Sequence, residues 1–547
     1  MPPATERVAT AFIDTFALDH LPPAEMQPEF DLAAVPHLAG RPRLNAATEF
    51  LDGAVARGWG ERRALVTDGE TWSYARLLAE SNRIGCALIE DYGLLPGQRV
   101  LLRGPNSPRM AASWFGVLKA GGIAVTTMPQ LRARELIYNM NKAKVSLALC
   151  DVRFAAELET AAAATPSLNK VVHFGGPANP GALEGKAARK SDDFAGVDTA
   201  AEDIAIIAFT SGTTGKAKGT MHHHRDLVAM CDLFPKSILK ATADDLFCGS
   251  PPFAFTFGLG GILLFPLRIG AATLLLESAP PPLLAEGIAR HRATVCFTAP
   301  TAYRAMLPLA AVHDLSSLTR CVSAGEHLPK ATFEAWKAAT GLSIIDGIGS
   351  TEMLHIFISA SGDELRPGST GKAIPGYTAA ILDDDGNELP AGELGRLAVR
   401  GVTGCRYLDD PERQAAYVQH GWNITGDTYR RDADGYFWYA ARSDDMIISG
   451  GYNISGVEVE NVLLLHPAVA ECGVVGVPDE DRGQVVAAYV VTKPGQVAGA
   501  ELCKTLQEFV KAEIAPYKYP RRIEFVNALP RTETGKLQRF RLRAEGA

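Results

Sequence analysis

No two of this chain's nine cysteines form a CxxC pair. Cys86, Cys150, Cys231, Cys248, Cys296, Cys321, Cys405, Cys472 and Cys503 are scattered, most of them within apolar runs. That distribution excludes a disulfide scaffold and reads as buried free thiols in a reducing compartment. An excess of positive charge is also missing: 54 Lys and Arg face 62 Asp and Glu, a net charge of −8. A general nucleic-acid binder needs a basic footprint, so that class falls away, although one local basic pocket stays compatible. A long unbroken apolar run is absent too. Gly258 to Leu276 comes nearest, but Pro266 and Arg268 interrupt it, so it is expected in the core and not across a membrane. Met1 to Pro23 holds acidic residues and no signal-type apolar stretch, which points to a cytoplasmic protein. What is present is 547 residues, 47% apolar and 21% charged, ordinary for several well-cored domains.

After a Pro-rich arm over 1–45, strand and helix signals alternate. Ala64–Thr67 reads as a strand and Asp68-Gly69 as a hairpin turn. Ser73 caps a helix whose apolar face carries Leu77, Ile84 and Leu88. Val100–Leu102 is a buried strand, Ser107-Pro108 opens a helix, and Gly121-Gly122 closes it before the strand at Ile123. Such alternation predicts an α/β protein around a largely parallel sheet. Residues 154–200 show weak periodicity and are expected to be an exposed connector. From about Thr378, short strands joined at Asp385-Gly386 and Asp434-Gly435 predict an antiparallel module. The last hundred residues read as a separate α+β unit with a helix over roughly Ala500–Ile514. The expected division is 1–441 and 442–547. Glu458 and Glu460, alternating with Val457 and Val459, are expected on a solvated face.

The densest chemical signal is the run from Phe209 to Gly219. A buried strand, Asp203–Phe209, leads into Thr210, Ser211, Gly212, Thr213, Thr214, Gly215 and Lys216. Glycines let backbone N–H groups turn inward, hydroxyls donate and lysine brings charge, which are the parts of a phosphate cradle. It is not a Walker A loop, because Thr210 stands where the first glycine of G-x-x-x-x-G-K belongs. His222-His223-His224 follows, and a run of histidines can bind metal.

This segment resembles the phosphate loop of the adenylate-forming superfamily of acyl-CoA synthetases, adenylation domains and luciferases, and five further segments match in that family's order. Asp346-Gly347-Ile348-Gly349-Ser350-Thr351-Glu352 resembles the adenine and magnesium motif, with Ile348 in place of the usual Tyr. Thr425-Gly426-Asp427 resembles the ribose motif and Arg442-Ser443-Asp444-Asp445 the hinge. Gly450-Gly451-Tyr452-Asn453 resembles the loop beside the pantetheine tunnel, and Pro530 to Lys536 the catalytic-lysine motif. The resemblance implies a large N-terminal α/β domain of several subdomains and a small mobile C-terminal α+β domain, with ATP, Mg²⁺ and coenzyme A as cofactors. It implies catalytic Lys536, Thr351 and Glu352, the last also the metal ligand, and at His222-His223-His224 a His-rich stretch that is not a metal site. It adds Gly325, Glu326, Asp346, Gly347, Ile348, Asp427 and Arg442 to the phosphate loop at the nucleotide, Gly450, Gly451 and Tyr452 at CoA, and Asp444 as hinge.

The implied acyl pocket comprises Phe255, Thr256, Phe257, Gly258, Ala324, Gly349, His355 and Ile356. Its segments are aromatic and apolar with few charges, and no amino-acid-recognising Asp stands in the first of them. The DGIGSTEMLHIF run and Asp19-His20-Leu21-Pro22-Pro23 are similar to benzoate-CoA ligases, and Phe255–Gly260 is nearer to the 2-aminobenzoate members. The expected activity is an AMP-forming aryl-CoA ligase. An aryl-adenylating enzyme that loads a carrier protein, another small acid as substrate, and a non-catalytic nucleotide-binding scaffold stay open, as does a homodimer. No nucleic acid is expected as a partner, and no membrane span is expected.

Overall fold

Arg63–Val66, Ala272–Leu274, Leu246–Gly249, Val295–Thr298, Arg320–Ser323 and Ile344–Gly349 lie side by side, all parallel. The computed structural model that shows this describes residues 9–175, 182–210, 217–325, 328, 330–442, 446–530 and 539–545. Thr71–Ser73 closes one edge antiparallel, and Ile356–Ser359 and Lys372–Ala373 close the other, giving nine described strands. A second sheet orders Lys170–Phe174, Val145–Asp151, Arg99–Arg103, Ile123–Thr127 and Ile204–Thr210 in parallel, with Lys218–His223 antiparallel at its edge. Two parallel sheets therefore stand where the sequence predicts one. Arg99–Arg103 is buried along its whole length, as expected when helices cover both faces of a parallel sheet.

Helix Tyr74–Glu90 starts where predicted, with the Ser73 side chain accepting from the Arg76 N–H. Helix Pro108–Lys119 is capped by Ser107 in the same way and is almost wholly buried. The antiparallel module is Tyr377–Leu382, Leu394–Gly401, Trp422–Arg431, Val418–Gln419 and Phe437–Arg442. The C-terminal unit has its own sheet, built from Tyr452–Ser455, Met446–Ser449, Gly483–Thr492, Val469–Asp479 and Arg522–Phe525, and its own core around Val474, Val490, Leu506 and Val510.

Two expectations fail. Residues 154–200, expected as an exposed connector, instead hold helix Ala155–Ala162, edge strand Lys170–Phe174 and helix Leu183–Ala187. In the first helix only Leu158 and Ala161 are buried, and a run of alanines gives the apolar face little contrast. Glu458 and Glu460 are not solvated. They lie on helix Gly456–Leu463 and are paired with Lys518 at 2.8 Å and Arg539 at 2.8 Å. Among the described residues no helix is long and apolar enough to cross a membrane.

Candidate active site

The parallel strands of both large sheets end at one cavity of about 960 Å³. Thr126 and Thr127, Thr210, Ser250, Ala299, Ala324 and Gly349 reach it from the carboxyl ends of their strands, the usual place for a ligand in α/β sheets. Strand Ile204–Thr210 delivers the phosphate-loop segment and Lys218–His223 brings the chain back beside it. Ser211, Gly212, Thr213, Thr214, Gly215 and Lys216 lie outside the described residues, as do Glu326, Asp444 and Lys536.

One wall is aromatic. The His355 ring packs 4.4 Å from Phe265, 5.6 Å from Phe257 and 5.8 Å from Phe234. Burial pushes its pKa down to about 3, so it is a neutral ring at physiological pH. The helical turns Thr256–Gly258 and Leu259–Leu264 reach this wall closely because two glycines face it. A Cβ on Gly260 would come within 2.5 Å of His355 Cδ2, and one on Gly261 within 2.4 Å of the Phe297 ring. Of the eight residues expected at the acyl pocket, Phe255, Thr256, Phe257, Ala324, Gly349, His355 and Ile356 line this cavity. Gly258 does not: it is buried against the Pro251-Pro252 backbone.

The turn that carries Thr351 and Glu352 is held from several sides. His222 is buried and neutral, its pKa lowered to about 4 by burial, and its Nε2–H donates to the Thr351 carbonyl at 2.7 Å. Thr403 Oγ1 donates to the Met353 carbonyl at 2.7 Å, and Ser350 Oγ accepts from the Met353 N–H at 3.1 Å. Leu354 sits at φ 70°, a left-handed conformation that costs a leucine roughly 1–2 kcal/mol, so these bonds offset local strain. Tyr407 O–H donates to Glu352 Oε1 at 2.6 Å, and both residues are buried. Tyr407 belongs to a loop bonded to the strand after the phosphate segment, Leu408 N–H donating to Gly219 O and Met221 N–H to Arg406 O. Arg406 is itself paired with buried Asp226 at 2.9 Å. The triple histidine thus begins a structural core, and no cluster of three or more metal-ligating side chains occurs among the described residues.

The other expected nucleotide residues divide into two groups. Thr210, Gly325 and Thr351 line the cavity, whereas Asp346, Gly347, Ile348 and Asp427 do not. Asp346 is buried, which raises its carboxyl pKa to about 8 against the opposing pull of the Gly347 amide and Ser323 hydroxyl. Ile348 pairs with Ile358 across the sheet. Asp427 is opposite Arg442 in the antiparallel pair that ends the module.

From the C-terminal unit, Gly450, Gly451 and Tyr452 reach the same cavity. The Gly451 carbonyl lies 3.8 Å from where a Cβ on Gly325 would sit. Gly450 and Gly451 have φ of 56° and 81°, which only glycine adopts freely. Tyr452 stacks on Tyr517 at 4.2 Å and meets Phe255 edge-on at 6.0 Å. Tyr407, which bonds Glu352, and Tyr517, Lys518 and Glu135, which line the same cavity, were not singled out in the sequence. No local motif marks them, since each is held by a partner remote in sequence.

The profile of the AMP-binding enzymes matches residues 53–406, and that of the AMP-binding enzyme C-terminal domain matches 458–536. The chain belongs to the AMP-binding enzyme family. Among AMP-binding enzymes it is similar to the benzoate–CoA ligase of Thauera aromatica, 36% identical over 92% of this chain and 96% of that protein. The crystal structure of the anthranilate CoA ligase AuaEII in complex with anthranoyl-AMP matches with a TM-score of 0.72 at 36% identity, covering 93% of this chain and 98% of that one. The amide bond synthetase McbA from Marinactinospora thermotolerans matches with a TM-score of 0.83 at 29% identity, over 92% and 99%.

Proposed function

We propose that this AMP-binding enzyme is an aryl-CoA ligase that joins an aromatic carboxylate to CoA at the expense of ATP, releasing AMP and pyrophosphate. The observation that carries the reading is the uncharged aromatic wall of Phe255, Phe257 and neutral His355, set between the phosphate-loop strand and the Gly450-Gly451 loop. A flat aromatic acid fits such a wall, and burying its ring there contributes roughly 25 cal/mol per Å² of apolar area. Benzoate and 2-aminobenzoate are the substrates this favours.

Two steps follow. A carboxylate oxygen attacks the α-phosphorus of ATP, and the bond to pyrophosphate breaks. The CoA thiolate then attacks the acyl carbon of the aryl-AMP and AMP leaves. The first step brings two anions together and needs cations and donors fixed beforehand. In this reading Lys536 bridges the carboxylate and the α-phosphate, Thr351 donates to that phosphate, and Asp427 accepts the ribose hydroxyls. Ser211 to Lys216 cradle the outer phosphates. Glu352 would offer a hard carboxylate oxygen, Oε2, to Mg²⁺ carried in by the nucleotide, while Tyr407 holds its Oε1. Bound there, Mg²⁺ would neutralise phosphate charge. In the second step Gly450 and Gly451 leave room for the pantetheine arm. A domain boundary near 442, with Asp444 as its hinge, and a cytoplasmic location complete the reading, the latter in keeping with nine unpaired cysteines of which eight are buried.

The test is a panel of acids scored for CoA-dependent AMP release by the purified protein. Benzoate or 2-aminobenzoate should exceed acetate and palmitate in kcat/KM. A tenfold win by acetate or palmitate would overturn the pocket assignment. AMP release driven by free amines or a carrier protein, but not by CoA, would replace the acceptor.

A further inference from the structure

Glu135 stands in the first turn of helix Ala133–Ala143, and its carboxylate is fixed by its own helix: Oε2 accepts the Arg132 N–H at 3.0 Å. The C-terminal unit docks on this carboxylate. Ala515 N–H donates to Oε2 at 3.0 Å and Lys518 Nζ to Oε1 at 2.5 Å. Beside it, Arg132 Nε–H donates to the Lys511 carbonyl at 3.2 Å. Lys518 also donates to Glu458 Oε1 at 2.8 Å, but Glu458 belongs to the same unit as Lys518. The Lys518 and Glu135 side chains are 6% and 9% exposed, so water screens their attraction little. Tyr517, next to Lys518, is the residue that stacks on Tyr452 at the cavity wall.

This geometry points to a latch: Glu135 and Lys518 are positioning residues that select the orientation of the C-terminal unit in which Gly450 and Gly451 meet the acyl pocket. The latch rests on the two-step reading given above. A carboxylate held in place by its own helix loses little freedom on capturing the lysine, so closure is cheap and specific. Any rotation of the unit away from this docking would break every bond to Glu135 from that side, while Lys518–Glu458 would turn with the unit and survive. The inter-unit pair therefore weights one orientation, and the intra-unit pair keeps Lys518 charged and aimed between closures. Burial opposes the ammonium form, yet Tyr517, Glu458 and Glu135 hold its pKa above the ordinary lysine value.

The experiment uses the full chain with Glu135→Gln, Lys518→Met, both together, and Glu458→Gln. Each is assayed in single turnover for aryl-AMP formation without CoA and for the reaction of preformed aryl-AMP with CoA. Orientation is read without substrates as the distance distribution between spin labels at Val312→Cys and Val497→Cys, which are 76% and 85% exposed, in a Cys503→Ser background. Glu135→Gln and Lys518→Met should each slow the CoA step at least tenfold, leave aryl-AMP formation within twofold, and broaden the distance distribution. The double variant should lose no more than either single one, and Glu458→Gln should leave the distribution closed. Equal losses in both steps, additive losses, or an unmoved distance distribution would overturn the latch. A shifted distribution in a protein that makes no aryl-CoA from any acid would keep the latch and overturn the ligase reading instead.

Discussion

Tyr407 donates its hydroxyl hydrogen to Glu352 Oε1 across 2.6 Å, in a buried contact between residues 55 apart in the chain. One oxygen of the proposed magnesium ligand is thus aimed by a phenol whose own loop is bonded to the strand leaving the phosphate segment. A charge-assisted bond of this kind contributes about 1.5–3 kcal/mol. Tyr407→Phe is expected to lower aryl-AMP formation by about tenfold or more, with partial recovery at high Mg²⁺. Glu352→Gln should raise the Mg²⁺ concentration needed for half-maximal rate. Mg²⁺ titrations of pyrophosphate release check both, and an unchanged titration in Glu352→Gln would give that residue another task.

Asp346 makes stability depend on pH. Its carboxyl titrates at about 8 when folded, because burial disfavours the anion, against about 4 in the unfolded chain. The folded state therefore holds a proton that the unfolded state gives up. This contribution is full below about pH 4 and is lost as pH rises through 8. Without nucleotide, the wild-type Tm should fall from pH 5 to 9 relative to that of Asp346→Asn, whose curve should be flatter. Parallel curves would mean that Asp346 does not hold the proton.

Gly260→Ala places a methyl group 2.5 Å from the present position of His355 Cδ2. The ring must shift into the acyl space, and overpacking of this kind costs about 1–3 kcal/mol. We expect kcat/KM for an aromatic acid to drop about tenfold or more while KM for ATP holds. Steady-state kinetics on both substrates separate this from general unfolding, which would lower both.

Lys536→Ala and Gly451→Ala should fail in different steps. The first removes the proposed bridge between carboxylate and α-phosphate and should slow aryl-AMP formation by about 2.7–4 kcal/mol of barrier. The second strains a backbone at φ 81° beside the acyl pocket and should slow only the reaction with CoA. Rapid-quench measurement of each half-reaction distinguishes them, and equal losses in both steps for both variants would sink the division of labour.

The parallel strands and capped helices were legible because each announces itself within a few residues: Ser73 caps where predicted, the second helix opens at Pro108 as read, and Ile204–Thr210 leads into the glycine-rich run. The residues that the family resemblance implies for the acyl pocket lie in two short segments plus Ala324, and seven of the eight line one cavity. The contacts that hold the site were not legible. Glu458 looks solvated until Lys518, 60 residues on, is brought to it, and Glu135 looks like an ordinary first-turn acid until residues 380 positions away dock on it. Charge pairing across such separations leaves no local pattern. Gly258 fits the aromatic segment by position, but backbone packing turns it away from the cavity.

The strand order has a consequence for synthesis. Arg63–Val66 leaves the ribosome early, yet Leu65 finds its parallel neighbour Thr273 about 200 residues later, after the entire six-stranded sheet has been made. At the usual 5–20 residues per second that wait is roughly 10–40 s. For that interval an apolar strand and its hairpin partner have no sheet to join. The six-stranded sheet, complete by His223, can collapse first and serve as the platform. The nascent chain should therefore be most dependent on chaperone cover between those two events.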